Sequence, residues 1–165
     1  MHWHLIHTKP RQERVALQNF EQQGVPCYLP LRATEKLSGG ALAQGLEPLF
    51  PRYLFIELDD EQPVVSWSSV RSTRGVNRLV CFGPRPAIVD PTLVEQLRAF
   101  EPARRNAPVP LFGAGKRIRI VQGPFSGLEA VYQMTDGERR AMVLIEILSR
   151  PVQLAVPVSA LRNIG

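Results

Sequence analysis

Cysteine and lysine are both scarce in this chain of 165 residues. Its two cysteines, Cys27 and Cys81, are far apart and form no CxxC pair, so the sequence predicts neither a disulfide framework nor a zinc knuckle. Only three of the 20 basic residues are lysines, and the net charge is +5. Because the planar guanidinium of arginine pairs with phosphates and guanine edges through two hydrogen bonds, the arginine excess suggests a nucleic-acid partner. A solvated basic surface explains the charge alone equally well.

Long hydrophobic runs are absent as well. No apolar segment approaches the roughly 18 residues that cross a membrane, and residues 1–9 lack the charged lead and the apolar run of a signal peptide. Hydrophobic residues make up 44% of the chain and charged residues 21%, the usual balance of a chain that buries a core. We therefore expect a soluble, cytoplasmic protein with no membrane partner.

The sequence has no recognisable catalytic constellation. It contains no GxSxG nucleophile elbow, no GKS or GKT phosphate loop and no cysteine beside a base. The acidic residues 59–61 share a single turn, whereas paired acid–base catalysis needs carboxylates on two opposed walls. In a strand His7 points away from the face shared by His2 and His4, so a three-histidine metal site is not expected. We predict a protein that is not an enzyme and that uses no metal and no cofactor.

Apolar periodicity predicts an α+β domain over residues 1–101, in which strands return around helices. The predicted strands lie at residues 2–8, 25–36, 47–60 and 77–82, and the predicted helices lie just before Gly24, at 64–72 and at 90–100. Asp90 and Pro91 are the expected cap and first residue of the last helix. Residues 38–45, SGGALAQG, predict a flexible loop.

A change of composition at Glu101 predicts a second domain. Residues 102–112 are rich in Pro, Gly and Ala and indicate a linker, and residues 113–165 have the short apolar runs of a small β-barrel. Within the barrel, residues 140–148 (RAMVLIEIL) fit either a strand or a helix. The helix would gather one apolar stripe, made of Ala141, Leu144, Ile145 and Leu148. This conflict either weakens the barrel prediction or marks a segment with two structures.

One stretch, between Glu61 and Asp90, combines arginines with small hydroxyl side chains and has no acid. Its arginines are Arg71, Arg74, Arg78 and Arg85. Serines, a threonine and Trp67 are interleaved with them, which suits phosphate contacts together with base stacking. Three more basic residues, between the first strand and the helix that follows it, would extend this patch, namely Lys9, Arg11 and Arg14. The alternative is a solvated helix and loop.

The strand RYLFIEL has apolar side chains on both faces. Period two places one set on the core side, namely Leu54, Ile56 and Leu58. Tyr53 and Phe55 are left on the other face. With Leu5 and Phe82 they would form an exposed apolar patch of the kind that docks another protein. Alternatively, the protein's own helices cover both faces of the sheet.

Four blocks occur in an order that resembles one protein family. They are WHLIHTKPRQE, EPLFPRYLFIEL, STRGVNRLVCFG followed by PAIVD, and GKRIRIVQGPFSG. Together they resemble the NusG family of transcription elongation factors over essentially the whole chain, with GKRIRIVQGPFSG in the place of the KOW motif. The TRGV block and EPLFP are more similar to the RfaH-like antiterminator branch than to the housekeeping factor. The resemblance implies a NusG-type N-terminal domain, with an antiparallel sheet flanked by helices, and a KOW-type C-terminal domain.

The resemblance also implies that the N-terminal domain binds RNA polymerase beside the non-template DNA strand. The patch for the polymerase clamp helices would consist of Leu5, His7, Tyr53, Phe55 and Phe82. Contacts to the opposite jaw of the cleft would come from Ser66, Trp67, Ser68 and Ser69, with Trp67 in place of a small polar residue. The DNA strand would be read by Lys9, Thr73 and Arg74. Val15 and Asn19 stand where the branch has a basic residue and a histidine, so either Arg11 and Arg14 compensate or the DNA element differs.

For the C-terminal domain the resemblance implies two forms. A β-barrel would bind a ribosomal small-subunit protein, or Rho in housekeeping members. In the RfaH-like branch an α-helical hairpin instead masks the polymerase-binding patch until DNA is engaged. Glu47 and Arg140 match the interdomain ion pair of that closed state. Pro151 and Pro157 would end the second helix early and weaken the closed state, since an interior proline costs roughly 3 kcal/mol.

We therefore hypothesise a monomeric, non-enzymatic transcription antitermination factor. It would clamp RNA polymerase around nucleic acid and suppress pausing and termination in a subset of operons. The nearest alternative is a housekeeping NusG-type elongation factor. A ribosome-associated KOW protein that binds RNA is a further alternative, although it leaves the N-terminal domain unexplained.

Overall fold

An antiparallel sheet forms the centre of the computed structural model, which describes residues 1–38, 40–59, 61–106, 131 and 134–149. The strands are β1 (His2–Thr8), β2 (Cys27–Tyr28), β3 (Leu31–Ser38), β4 (Ala41–Pro48), β5 (Tyr53–Leu58), β6 (Val76–Leu79), β7 (Cys81–Phe82) and β8 (Arg85–Pro86). The described helices are α1 (Glu13–Gln22), α2 (Trp67–Ser72), α3 (Pro91–Asn106) and α4 (Gly137–Ser149). Four strands make the central sheet in the order β2–β5–β1–β6, and β3–β4 and β7–β8 form two separate hairpins. The predicted antiparallel sheet with flanking helices is confirmed.

The sheet carries a separate apolar core on each face. Alternation along β5 sends Leu54, Ile56 and Leu58 to one side and Phe55 to the other, as predicted. The first side, called here the α1–α2 core, contains Ile6, Ala16, Phe20, Leu54, Ile56, Leu58, Val70, Val76 and Leu79. The second side, called here the α3–α4 core, contains Trp3, Leu5, Phe55, Leu93, Val94, Leu97, Val131, Leu144 and Ile147. The described part of the protein is therefore a sheet packed between two helical layers.

Local capping starts α2 and α3 where the sequence indicates. The Ser66 side-chain oxygen accepts a hydrogen bond from the Ser69 backbone N–H at 3.1 Å, which satisfies one of the free donors at the start of α2. Asp90 Oδ1 accepts the Thr92 backbone N–H at 2.8 Å, and Pro91 is the first residue of α3. The predicted cap and first residue of α3 are thus confirmed.

Helix α3 runs further than predicted. It passes through Pro102 and ends at Asn106, so the first part of the predicted linker 102–112 is helical. Just before the proline, Glu101 Oε1 accepts a hydrogen bond from the Tyr28 hydroxyl at 2.6 Å, which ties this turn to the sheet. Residues 103–105 (ARR) have high helix propensity, which is compatible with a helix that continues beyond the proline. The remaining linker residues, 107–112, lie outside the described part.

Residues 38–45 do not form the predicted loop. Their second half is strand β4, which pairs with β3 in unbroken antiparallel register from Leu31↔Pro48 to Ser38↔Ala41. Only residues 39–40 connect the two strands, and Gly40 has φ +85°, a conformation that glycine adopts at little cost. A Gly-Gly pair between strands is a hairpin signal, and the loop prediction overlooked it.

The C-terminal region packs on the sheet as helix α4. Residues 140–148 adopt the helical alternative, and Asp136 Oδ1 accepts the Glu138 N–H at 3.0 Å at the start of the helix. Ala141 and Leu144 of the predicted stripe are buried, and Ile145 and Leu148 pack against the α3–α4 core. Among the described residues of this region none lies in a strand. The KOW-like block, Pro151 and Pro157 lie outside the described residues, so the barrel form stays a prediction. No helix in the described ranges is both long and apolar enough to span a bilayer.

Candidate functional site

Four of the five predicted clamp-helix contacts lie on one face of two neighbouring strands. Leu5 is directly opposite Phe55, and His7 is directly opposite Tyr53, in the antiparallel register of β1 and β5. The His7 and Tyr53 rings pack with their centroids 5.0 Å apart. Such cross-strand pairs stabilise one another and form a continuous apolar surface. The fifth residue, Phe82, lies on β7 and is 41% exposed.

This surface is covered, contrary to the predicted exposed patch. Leu5 and Phe55 are both 0% exposed. Two helices pack over this face of the sheet. Helix α3 contributes Leu93, Val94 and Leu97, and helix α4 contributes Leu144 and Ile147. The alternative that the protein's own helices cover both faces is therefore the one observed. Its physical reason is that an apolar sheet face is stabilised only when another element removes it from water.

A groove remains at the edge where α4 meets the sheet. Its walls are lined by His7, Arg52 and Tyr53 from the sheet side and by Glu138, Met142, Ile145 and Glu146 from α4. Partial burial lowers the pKa of His7, and the positive charges of Arg52 and Arg78 lower it further. The Asn77 side-chain nitrogen lies 2.9 Å from His7 Nδ1, within hydrogen-bonding distance. The sheet side of this groove is thus basic and the helix side acidic.

Arg140 fixes α4 to the N-terminal region through polar contacts. Its side chain is 1% exposed, and Nε donates to the Leu49 carbonyl at 2.7 Å. Nη2 lies 3.4 Å from Glu47 Oε1, so the two residues predicted as an interdomain pair are brought together. Nη1 donates to the Met134 carbonyl at 2.9 Å, which braces the arginine against its own segment. Burial, together with the positive charge of the nearby Arg32, lowers the pKa of Arg140 to about 10 against the opposing effect of Glu47.

Arg32 was missed by the sequence analysis. It is 5% exposed, its Nη1 donates to the Met134 carbonyl at 2.8 Å, and its Nε lies 3.3 Å from the same Glu47 oxygen that Arg140 approaches. Burial lowers the pKa of Arg32, while Glu47 opposes that shift. In the β3–β4 register Arg32 and Glu47 are direct partners. Recognition of the Gly-Gly hairpin signal at residues 39–40 would have predicted this cross-strand pair.

Two basic segments come together on the other side of the sheet. Lys9, Arg11 and Arg14 are exposed around the start of α1, and Arg71 and Arg74 are exposed at the end of α2. The Lys9 N–H donates to the Gly75 carbonyl at 2.8 Å. Gly75 has φ +92°, and a Cβ there would lie 2.9 Å from the Ala16 backbone nitrogen. Glycine therefore permits the close approach that joins the segments into one surface, called here the basic surface.

Thr73 does not belong to the exposed part of the basic surface. It is buried, its hydroxyl donates to the Ser69 carbonyl at 2.8 Å, and it accepts from the Gln23 side chain at 2.9 Å. Its role as a direct DNA contact stays a prediction. Thr73 is the residue at which α2 ends, and its hydroxyl both donates and accepts within the N-terminal region.

The predicted jaw contacts lie at the start of α2. Ser66 and Ser68 are exposed, whereas Ser69 is half-buried in the helix cap. Trp67 is also half-buried, with its ring 5.0 Å from the His4 ring in an edge-on contact. The first two residues are therefore accessible to a partner, while the tryptophan mainly packs against the sheet.

The histidines of β1 do not form a metal site in the part of the chain that is described. His4 is buried and its Nδ1 lies 3.0 Å from the Ala87 carbonyl, so this ring takes part in packing. Across the described ranges no three His, Cys, Asp or Glu side chains are grouped as metal ligands. Asp59 is used locally, where its carboxylate accepts two backbone N–H groups of its own turn.

Comparison with known proteins shows the family of this chain. The family model described as transcription termination factor NusG matches residues 1–98. The transcription termination/antitermination protein NusG of Thermus thermophilus is 30% identical in an alignment of 172 positions, and the alignment covers 92% of this chain and 94% of that protein. The protein of the same name from Deinococcus radiodurans is 32% identical over 139 residues, 74% of this chain and 73% of that one. A solved structure of Thermotoga maritima NusG is also similar, with a TM-score of 0.44, 20% identity and coverage of 74% of this chain and 66% of that one. On the family model and the Thermus relative, the chain belongs to the NusG family of transcription termination and antitermination factors.

Proposed function

We propose that this chain is an antitermination factor that binds RNA polymerase and the non-template DNA strand and suppresses pausing and termination in a subset of operons. Membership of the NusG family supports the general role in transcription. The observation that carries the finer proposal is the burial of Leu5 and Phe55 beneath a helix from the C-terminal region. A docking face that stays covered until the factor engages DNA suits a protein that is recruited to few operons.

The docking surface in this proposal is the side of β1 and β5 that α4 covers. The polymerase clamp helices would replace α4 against Leu5, Tyr53 and Phe55 and would use the same helix-on-sheet apolar contacts. Because two helical elements cannot occupy one face together, polymerase binds only the fraction of molecules in which α4 is released. The apparent affinity for polymerase then falls in proportion to that fraction.

DNA supplies the selective step. The exposed guanidinium and ammonium groups of the basic surface attract phosphates, and Arg74, at the end of α2, would read a base edge. A chain held on DNA meets polymerase at a high effective concentration, so a rarely released α4 suffices for capture. Ser66 and Ser68 would then contact the other side of the polymerase cleft. The released C-terminal domain would bind a ribosomal small-subunit protein and couple transcription to translation.

Recruitment on a library of templates tests this proposal. The intact protein is added to elongation complexes stalled on templates with a randomised non-template segment, and the captured complexes are sequenced. We expect enrichment of one DNA element, loss of the enrichment with Arg74→Ala, and loss of all capture with the Tyr53→Ala, Phe55→Ala double variant. Arg85→Ala is the control, because Arg85 is also exposed but lies on β8, outside the basic surface. Equal capture of all templates by the intact protein would contradict the selective role.

A general NusG role is the second candidate. The descriptions of the matching family model and of the relatives, all NusG, favour it. In that role the protein would accompany polymerase on most transcription units, and α4 would have to leave the sheet readily. Mapping the chromosomal positions of the protein against those of polymerase separates the two roles, since a specialised factor is found on few operons.

A further inference from the structure

Two buried arginines meet where α4 approaches the β3–β4 hairpin. Arg32 belongs to β3 and Arg140 to α4, and both lie within 3.4 Å of one oxygen of Glu47. One carboxylate therefore serves two guanidinium groups that are 5% and 1% exposed. A buried charge without compensation is costly, so the arrangement needs further partners.

Backbone carbonyls supply those partners, and they do so across the interface in both directions. Arg140 of α4 donates to the Leu49 carbonyl of the N-terminal region at 2.7 Å. Arg32 of the N-terminal region donates to the Met134 carbonyl of the C-terminal region at 2.8 Å. These two bonds are shorter than either approach to Glu47, at 3.3 and 3.4 Å. The hydrogen bonds to the two carbonyls are thus the shortest of these contacts between the C-terminal and the N-terminal region.

The approach of Arg32 to Glu47 also has an unusual geometry. Although Nε is 3.3 Å from the carboxylate oxygen, it finds no acceptor in hydrogen-bonding orientation among the described residues. The guanidinium is turned so that Nη1 points at Met134 instead. Arg32 therefore gives its well-oriented hydrogen bond to the C-terminal segment rather than to its own cross-strand partner.

We propose that Arg32 is a positioning residue of the closed state, which fastens the C-terminal segment by donating to the Met134 carbonyl while it shares Glu47 with Arg140. This inference rests on the proposed masking of the docking face by α4. The closed state is then held by two reciprocal arginine bonds with Glu47 between them as the shared counter-charge. When α4 leaves, Glu47 keeps Arg32 as its direct partner in the hairpin, so release leaves no unpaired carboxylate behind.

Hydrogen exchange of the intact protein tests the role of Arg32. The amides of residues 137–149 report on α4, because their hydrogen bonds break or change partner when the segment leaves the sheet. Arg32→Met and Arg140→Met are each expected to speed exchange of this segment by about tenfold or more, the usual effect of losing a hydrogen bond to a charged group. Arg139→Met is the matched control, since Arg139 is the exposed neighbour of Arg140 on the same helix.

A second variant distinguishes loss of the Arg32 hydrogen bond to Met134 from general damage to the sheet. Arg32→Lys keeps a positive charge beside Glu47, but a single ammonium cannot reproduce the forked contact to both Glu47 and the Met134 carbonyl. It should speed exchange of residues 137–149 while the amides of β1 exchange as slowly as before. Unchanged exchange of residues 137–149 in Arg32→Lys and Arg32→Met would overturn the proposal.

Polymerase binding by the same variants distinguishes this inference from the proposed function. If Arg32→Lys releases α4 and also raises affinity for polymerase, both stand. If α4 is released but polymerase affinity stays unchanged, Arg32 holds the helix as proposed and the masking role is wrong. If exchange of residues 137–149 does not change, the role of Arg32 is wrong whatever polymerase does.

Discussion

The two faces of the sheet are covered in different ways. The α1–α2 core is built entirely from residues 6–81, so its helices are close neighbours of the strands in the chain. The α3–α4 core takes Val131, Leu144 and Ile147 from the C-terminal region. The first cover is formed by segments adjacent in the chain, whereas the second includes a distant segment, and cooperative units of a protein can open locally at a lower free energy than the whole fold.

The polar contacts differ in the same sense. On the α1–α2 side the Gln23 side chain donates to the Thr73 hydroxyl, which itself donates to a carbonyl of α2, so every partner belongs to the N-terminal region. At α4 two buried arginines cross to carbonyls of the opposite segment. Buried ionic groups add little net stability because desolvation offsets their attraction, but removal of one member is strongly unfavourable. Such contacts therefore favour one docked position of α4 over others.

The largest expected effect comes from matched leucines in the two cores. Leu54 and Leu144 are both fully buried. Leu54→Ala should lower the free energy of unfolding of the whole sheet by about 2–5 kcal/mol, since it removes core volume that nothing refills. Leu144→Ala should weaken docking of α4 by a similar amount and leave the β1 amides protected. Hydrogen exchange of β1 and α4 measures both, and parallel loss of protection in both variants would remove the distinction between the faces.

A second substitution tests the contact that joins the basic surface. Gly75→Ala adds a Cβ 2.9 Å from the Ala16 nitrogen at a backbone with φ +92°. We expect destabilisation of roughly 1–3 kcal/mol or more, because strain and a backbone clash act together. Gly83→Ala is the control, since Gly83 has φ +75° and nothing within 4 Å of its would-be Cβ. Equal melting temperatures for the two variants would show that the close approach at Gly75 contributes nothing.

The basic surface should respond to substitution without disturbing α4. Arg74→Ala removes one exposed guanidinium and should weaken DNA binding several-fold and lower the salt dependence by about one released counterion. Exchange of residues 137–149 should remain at the level of the unchanged protein. DNA titrations at several salt concentrations measure the first effect. A faster-exchanging α4 in this variant would mean that the two sides of the sheet are not independent.

The smallest expected effect is a pH dependence on the α4 side. The folded protein lowers the pKa of His7 below its ordinary value of 6.5, so the folded state disfavours the charged ring. The stability that this shift contributes is complete above pH 6.5 and is lost as the pH falls through 6.5 towards the lower folded value. Denaturation midpoints between pH 8 and pH 5 measure it. His7→Gln should flatten the profile, and an unchanged profile would assign the pH dependence to other groups.

Local patterns were sufficient for much of the N-terminal region. Alternation in residues 53–58 separated the two cores, and the Asp90–Pro91 pair located the start of α3. The β3–β4 hairpin was missed because its strand β4 is short of the usual strand-forming residues, although Gly39 and Gly40 mark a turn. Because the hairpin was missed, its cross-strand pair of Arg32 and Glu47 was missed as well.

Long-range contacts explain the other failures. The segment 140–148 suits a strand or a helix, and its burial in one core with Leu5 and Phe55, far away in sequence, favours the helix. The same packing buries Phe55, which lies on the face of β5 that the strand pattern assigned either to an exposed docking patch or to a covered core. The role of Gly75 depends on the backbone of α1, which lies beside it only after folding.

The central claim is that α4 covers the surface on which polymerase docks. The most direct measurement is the affinity of the intact protein for elongation complexes on a template without a recognised DNA element, compared with Leu144→Asp. That variant places a charge in the α3–α4 core and should release α4, whereas the control Met142→Asp places the same charge at an exposed position of the helix. The account predicts binding about tenfold tighter or more for Leu144→Asp and no change for Met142→Asp. Equal or weaker binding by Leu144→Asp would contradict it.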